Sequence, residues 1–150
     1  MFASKDDGET WGQPRDLTPY VKEDYMKFVG TGPGAGIKAQ KSDGTTRLIF
    51  PIYFTTNGTG KDLGSQSSAN IYSDDGGKTW IRGESPNDGR IINNGTDKER
   101  IITSQSLNIQ KGDAPYELTE SQIVQLKDGR LVQFMRNTSY ICLLYTSDAA

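Results

Sequence analysis

The pattern S-x-D-x-G-x-T-W occurs twice, as Ser4-Lys-Asp6-Asp-Gly8-Glu-Thr10-Trp11 and as Ser73-Asp-Asp75-Gly-Gly77-Lys-Thr79-Trp80. Each residue type in it has a task in a tight turn. The Asp side chain accepts hydrogen bonds from backbone N–H groups inside the turn, Gly admits positive φ, and Thr adds a local hydroxyl bond. The Trp is left to anchor the turn by packing. Ser4, Asp6, Gly8 and Trp11, with Ser73, Asp75, Gly77 and Trp80, are therefore read as structural. A turn unit that recurs with strand-like sequence between its copies indicates a repeat architecture built from small stacked sheets.

Two segments read as β-hairpins. One is Ile37-Lys-Ala-Gln-Lys-Ser-Asp43-Gly44-Thr-Thr-Arg-Leu48-Ile-Phe-Pro-Ile-Tyr53. The other runs from Glu120 to Arg136, with Asp128-Gly129 as its turn and Ile123, Val124, Leu126, Leu131, Val132, Phe134 and Met135 as apolar positions. Aligning Leu48 with Leu131 matches the two turns, allows two extra residues in the first, and puts Tyr53 at the position of Arg136. A third strand follows the first hairpin near Ser67-Ser-Ala-Asn-Ile-Tyr72, then the second S-x-D-x-G-x-T-W turn, then a fourth strand from Trp80. A hydrophobic share of 33% with 17 glycines suits such an all-β chain rich in turns. The stretch from Gly83 to Tyr116, with Pro86, Asp88-Gly89, Asn94-Gly95 and Gly112, reads as a connection holding a short strand or two. Met1-Phe-Ala reads as the end of a strand.

Composition excludes several function classes. With 17 basic and 19 acidic residues the net charge is −2, so no polyanion partner is indicated and nucleic-acid binding is not expected. No apolar run approaches the roughly 20 residues that cross a bilayer, and no signal peptide is visible. The chain has no histidine and one cysteine, Cys142, which removes Ser-His-Asp, Cys-His and histidine-zinc chemistry from this stretch. Gly30-Thr-Gly32-Pro-Gly34-Ala-Gly36 lacks the Gly-Lys-Ser/Thr ending of a phosphate loop. Asp113 and Glu117 precede the second hairpin and read as solvated loop charges.

The two copies of S-x-D-x-G-x-T-W, the Leu-Thr-Glu120-Ser-Gln start and the Phe-Met-Arg136-Asn137 end together resemble bacterial exo-α-sialidases of the glycoside hydrolase family 33 type. The repeated pattern matches the Asp box of that family, a motif that non-catalytic propellers also use. The resemblance covers nearly everything from Ser4 to Asn137 and implies a fragment of a six-bladed β-propeller, in which four-stranded blades are arranged around an axis. On that basis residues 1–141 are expected to hold the end of one blade, one full blade and the inner hairpin of the next. In the family the Asp-box turns lie on the face away from the active site.

The resemblance also assigns chemistry. A Glu opening a strand is ordinarily solvated and an Arg ending one pairs with a surface acid; their shared hairpin and the two Asp boxes are what lift Glu120 and Arg136 above that. Glu120 corresponds to the glutamate that acts as base on a tyrosine hydroxyl, whose unperturbed pKa is about 10, so that the phenol attacks the anomeric carbon. Arg136 corresponds to the second member of a three-arginine cluster that grips the substrate carboxylate. Tyr53 and Gln66 are further substrate-binding candidates, Gln66 matching a glutamine that lines the glycerol and N-acyl side of the pocket. The loop from Thr55 to Gly64 is expected to border that pocket, and the Gly-Pro-Gly-x-Gly-Ile run to bring the chain sharply into an inner strand. No metal ligands and no cofactor are implied. Sialylated glycans are the implied partners, and a secreted or cell-surface bacterial location is the implied setting.

The catalytic set is incomplete within the chain: the first and third arginines, the aspartate acid/base and the tyrosine nucleophile have no counterpart. Cys142-Leu-Leu-Tyr-Thr-Ser-Asp-Ala-Ala150 resembles the in-frame translation of a sequencing adaptor, so residues 142–150 are set aside from the fold, and Tyr140 and Tyr145 are not assigned a role. The expectation is a parent exo-α-sialidase and an inactive piece. An intramolecular trans-sialidase, or a propeller that only binds glycans or proteins, are the alternatives.

Overall fold

The computed structural model describes residues 1–56, 65–92, 99–105 and 116–137, and the backbone of 142–147. Asn94, Gly95, Gly112, Asp113, Tyr140, Ile141 and most of the Thr55 to Gly64 loop lie outside the described residues. Apart from one short helix, α1 (Thr18–Val21), the regular elements are strands. They are β1 (Met26–Thr31), β2 (Ile37–Gln40), β3 (Thr46–Thr56), β4 (Ser65–Ser73), β5 (Ile81–Arg82), β6 (Arg90–Ile92), β7 (Arg100–Ile102), β8 (Leu118–Gln125), β9 (Leu131–Asn137) and β10 (Cys142–Ser147).

The first sheet is an antiparallel meander, β1-β3-β4-β5, with β2 also on β3. β1 and β2 lie end to end along one edge of β3: Thr31 faces Ile52, Ile37 faces Ile49, and residues 32–36 stand opposite only Phe50 and Pro51. The glycine run therefore breaks one long edge strand in two. It has to be made of glycine where β3 crowds it, since a Cβ on Gly36 would sit 2.4 Å from the Phe50 ring and 2.8 Å from the Ile49 carbonyl. The order is that of a propeller blade with two inner strand positions, a third strand and a short fourth.

Period-2 alternation splits β3 between two cores. Ile52 and Phe54 join Val21, Met26, Ala69, Ile71 and Trp80 beneath α1. Ile49 faces the other way and meets Ala39 and Ile123, with Ile37, Tyr72 and Leu131 around them, which docks the β10-β9-β8 sheet on the first. Burying each large side chain such as Phe54 contributes about 2 kcal/mol. Ile92 and Ile102 of the β6-β7 ribbon pack with Tyr116 in a third, small cluster.

Two expectations change. Both hairpin turns close identically: Gly44 N–H donates to the Lys41 carbonyl and Lys41 N–H to that of Thr45, as Gly129 does to Leu126 and Leu126 to Arg130. With Gln40 opposite Thr46 and Gln125 opposite Leu131, the hairpins superpose without an insertion, and Pro51, not Tyr53, stands at the register of Arg136. The additional residues lengthen the far end of β3 and leave the turn unchanged. Met1-Phe-Ala forms no strand; Gly12 N–H donates to the Ala3 carbonyl, Arg15 N–H to that of Met1, and the Met1 amino group to the Arg15 carbonyl at 2.7 Å. Cys142–Ser147, set aside above, pairs along β9, an open edge that accepts an extended segment through backbone groups alone.

The two S-x-D-x-G-x-T-W turns share one hydrogen-bond set. Ser73 Oγ donates to Asp75 Oδ1 at 2.8 Å and accepts from Gly77 N–H, while Thr79 gives its N–H to Oδ1 and its hydroxyl to Oδ2 at 2.8 and 2.6 Å. Ser4, Asp6, Gly8 and Thr10 repeat this bond for bond. Gly8 and Gly77 adopt φ of 93° and 90°, as the turn demands. The tryptophans differ: Trp80 is 3% exposed in the core and Trp11 is 62% exposed.

Candidate functional site

The ladder between β8 and β9 slips by one residue. Thr119 pairs with Arg136 and Gln122 with Phe134, so Glu120 and Ser121 together oppose Met135. Residues directly opposite share a face, and Met135 is buried. Carried on from the turn, where Gln125 pairs with Leu131 and Gln122 with Phe134, a regular ladder would bring Glu120 opposite Arg136; the bulge instead moves Thr119 into that register. The bulge falls at Glu120 itself, where the register set by the turn ends. Glu120 takes φ of 44°, a left-handed backbone that a side chain of this kind rarely adopts, and its Oε2 accepts a hydrogen bond from Arg136 Nη1 at 2.8 Å. The guanidinium is 57% exposed and the carboxylate 40%, so the pair is open to an incoming solute.

The first sheet supplies the facing wall. Tyr53 is opposite Gly30 and Ser68 and packs against the Phe28 ring at 5.6 Å between centroids. By alternation it shares the face of Ile49, the face turned to β8. Gln66 begins β4 opposite Thr55 on that same face. Its backbone N–H donates to Glu117 Oε1 at 3.0 Å, which ties the start of β4 to the start of β8. Glu117 is not the solvated charge that its sequence position suggested. It is 4% exposed and bonded to the start of β4. The only sequence signal for it was its place just ahead of Leu118-Thr119-Glu120.

The seam between the sheets changes character along its length. At the hairpin-turn end it is apolar (Ala39, Ile49, Ile123) and closed by a reciprocal pair: Gln40 N–H donates to Gln125 Oε1 at 2.8 Å, and Gln125 Nε2 donates to the Gln40 carbonyl at 2.7 Å. Toward Glu120 it turns polar, with buried Ser68, Ser121, Thr119 and Gln133, the last accepting from Asn70 Nδ2 at 2.8 Å. A polar, open end carrying a carboxylate and a guanidinium suits a charged, hydroxyl-rich solute. A groove of about 780 Å³ lined by Val21, Lys22, Val29, Phe50, Ile52 and Ile71 lies on the opposite face of the first sheet and is remote from this chemistry.

The S-x-D-x-G-x-T-W turns are remote as well. Ser73 ends β4 while Gln66 begins it, a separation of about 23 Å at the rise of a strand. Hydrogen bonds from the Thr10 hydroxyl and amide, then from Ser4, hold the Asp6 carboxyl down at about 2; Thr79 and Ser73 push that of Asp75 further below the usual carboxylate range. Arg15 links the two copies by donating to the carbonyls of Gly77, at 2.8 Å, and Lys78. Among the described residues no cluster of three or more His, Cys, Asp or Glu side chains is placed to hold a metal.

Three proteins are similar to the chain. A sialidase of Bacteroides fragilis (strain YCH46) is 42% identical over 80 residues, covering 53% of this chain and 13% of that protein. An anhydrosialidase of Macrobdella decora is 28% identical over 142 residues, 93% of this chain and 14% of that protein. A sialidase of Paraclostridium sordellii is 32% identical over 97 residues, 63% of this chain and 23% of that protein. The chain thus spans less than a quarter of the length of these relatives. No family model matches it.

Proposed function

We propose that this chain is part of a longer retaining exo-α-sialidase that releases terminal sialic acid from glycoproteins, glycolipids and oligosaccharides. The observation that carries the reading is the Glu120–Arg136 pair on a bulged strand, in a chain similar to proteins named sialidase. Sialic acid brings its own carboxylate, and an arginine offers that group charge-assisted hydrogen bonds in a planar fork. Glu120 is the base: it draws the proton from a tyrosine hydroxyl as the phenol oxygen attacks the anomeric carbon and the aglycone oxygen leaves with a proton from an aspartic acid. Water then attacks the tyrosyl glycoside, the aspartate takes its proton, and the departing phenolate recovers its own proton from Glu120. A neutral attacking phenol avoids repulsion from the substrate carboxylate.

The tyrosine, the aspartate and two more arginines come from other blades of the six-bladed parent in this reading, so the 150-residue chain alone has no activity. Tyr53 and Gln66 line the substrate side of the site. Terminal sialic acids are carried on cell surfaces and secreted glycans, which fits a secreted or cell-surface parent.

A second reading differs in product. The similarity to an anhydrosialidase extends over 93% of the chain, which favours considering an intramolecular transfer, in which a hydroxyl of the bound sugar rather than water attacks the intermediate. Incubation of the full-length protein with an aryl α-sialoside and mass analysis of the sugar decides between them. Free sialic acid supports hydrolysis, and a product one water lighter supports intramolecular transfer. Neither product from folded protein would leave a propeller that only binds glycans or proteins.

A further inference from the structure

We propose that Glu120 is aimed by the first sheet through two positioning residues, Gly32 and Glu117, which pin the chain on either side of it. The proposal rests on the reading of Glu120 as the working carboxylate. A left-handed backbone at a residue with a long side chain is strained and persists only where the surroundings over-determine it. The β8-β9 hairpin supplies the Arg136 contact, but that contact is exposed, and exposed ion pairs contribute little. The remaining constraint has to come from elsewhere.

It comes from the broken edge strand. Gly32 is fixed to β3 by its N–H, which donates to the Pro51 carbonyl at 3.1 Å. From there its α-carbon lies against the residue after Glu120: a Cβ built on Gly32 would be 2.7 Å from the Ser121 carbonyl oxygen and 3.5 Å from the Ser121 nitrogen. The obstacle is backbone, so it cannot rotate aside. Ser121 is fully buried, so it has no room to retreat. On the other side of Glu120, the Glu117 carboxylate is 4% exposed and takes the Gln66 N–H at 3.0 Å. Burying a carboxylate is costly unless it is hydrogen-bonded, so this bond fixes where residue 117 sits. With 117 and 121 both held, the chain between them keeps the bulged path that holds Glu120 in the left-handed region beside Arg136. The glycine that breaks the edge strand and the buried glutamate thereby act through Glu120 without touching substrate.

The test uses the full-length protein with Gly32→Ala, Glu117→Ala, Glu117→Gln and, as control, Gln125→Ala at the far end of the same seam. Glu117→Gln keeps a side-chain oxygen for the Gln66 amide. Misplacing a catalytic group by about 1 Å costs on the order of 100-fold in rate. The expected result is a fall in kcat of about 10- to 100-fold for Gly32→Ala and Glu117→Ala, with KM within about 3-fold of wild type. Glu117→Gln should recover to within about 5-fold, and Gln125→Ala should keep wild-type kcat in its folded fraction. Wild-type kcat in folded Glu117→Ala, or an equal loss in Gln125→Ala, would overturn the proposal by reducing the contacts to general adhesion of the sheets. If Gly32→Ala does not fold, the two Glu117 variants decide. If the wild type processes no sialoside, the functional reading fails separately, and a crystal structure of Glu117→Ala decides instead. Glu120 leaving the left-handed region and parting from Arg136 supports the clamp; unchanged geometry refutes it.

Discussion

Glu120 and Arg136 are 16 residues apart in the chain, and their side chains meet at 2.8 Å at the point where the ladder between β8 and β9 slips by one residue. The slip places Glu120 in the left-handed region, where alanine is disfavoured and glycine is not. In an ordinary strand, Ala is more stable than Gly. Here Glu120→Gly should be more stable than Glu120→Ala by about 1 kcal/mol. Denaturant unfolding of the two variants checks it, and the ordinary order would mean that the backbone at 120 is unstrained.

The repeated turns make stability depend on acid in a defined direction. Asp6 has its carboxyl lowered from 3.8 to about 2 by bonds present only in the fold, and Asp75 is lowered further. A carboxyl depressed in the folded state adds stability above its unfolded pKa and loses it as pH falls through the folded one. Melting temperature should therefore drop as pH goes from about 4 to about 2. Asp75→Asn should flatten that fall, and parallel curves for the variant and the wild type would contradict the assignment.

The two tryptophans should report opposite environments in the 150-residue chain, because Trp80 packs against Phe50 at 5.4 Å within the core while Trp11 stands open. Trp11→Phe should leave blue-shifted emission that acrylamide hardly quenches, and Trp80→Phe should leave red-shifted, readily quenched emission. Trp80→Ala should also cost about 3–5 kcal/mol, the range for a large buried aromatic. Similar quenching of both single-tryptophan variants would show that the turns are packed alike.

Arg15 bonds to the Gly77 and Lys78 carbonyls and lies over the Tyr20 ring at 5.8 Å. Arg15→Ala should destabilise by about 1–3 kcal/mol through the charge-assisted bonds, and Arg15→Lys should recover only part, since an ammonium cannot span two carbonyls in a fork. Chemical denaturation of the three proteins is the check. Equal stability of Arg15→Ala and wild type would mean that the two turns are not coupled.

What the sequence disclosed was local. Asp128-Gly129 and Asp43-Gly44 announce their turns because the required φ limits the residues that fit, and the S-x-D-x-G-x-T-W copies announce theirs because every bond lies within a few residues. The strands carry their alternation openly, so the all-β class and the succession β2-β3-β4-β5 were readable, while β1, which takes the same edge of β3, was not. The bulge at Glu120 was not, since the close approach of Gly32 to Ser121 lies across the seam and leaves no trace in the hairpin's own sequence. The burial of Glu117 depends on Gln66, 51 positions away, and the alignment of Tyr53 with Arg136 failed because matching Leu48 to Leu131 ignored turn geometry. Glu120 and Arg136 were found by resemblance and their contact by structure; Tyr53 and Gln66 stand on the facing sheet.

The central claim is that the Glu120 carboxylate works on a sialoside. Steady-state kinetics of full-length Glu120→Gln on an aryl α-sialoside, against wild type, tests it with a change that leaves size and fold in place. A positioned base typically contributes about 100- to 10,000-fold, so kcat should fall within that range while the melting temperature stays near the wild-type value. A kcat unchanged within about 3-fold in the folded variant would contradict the claim and remove Glu120 from the chemistry.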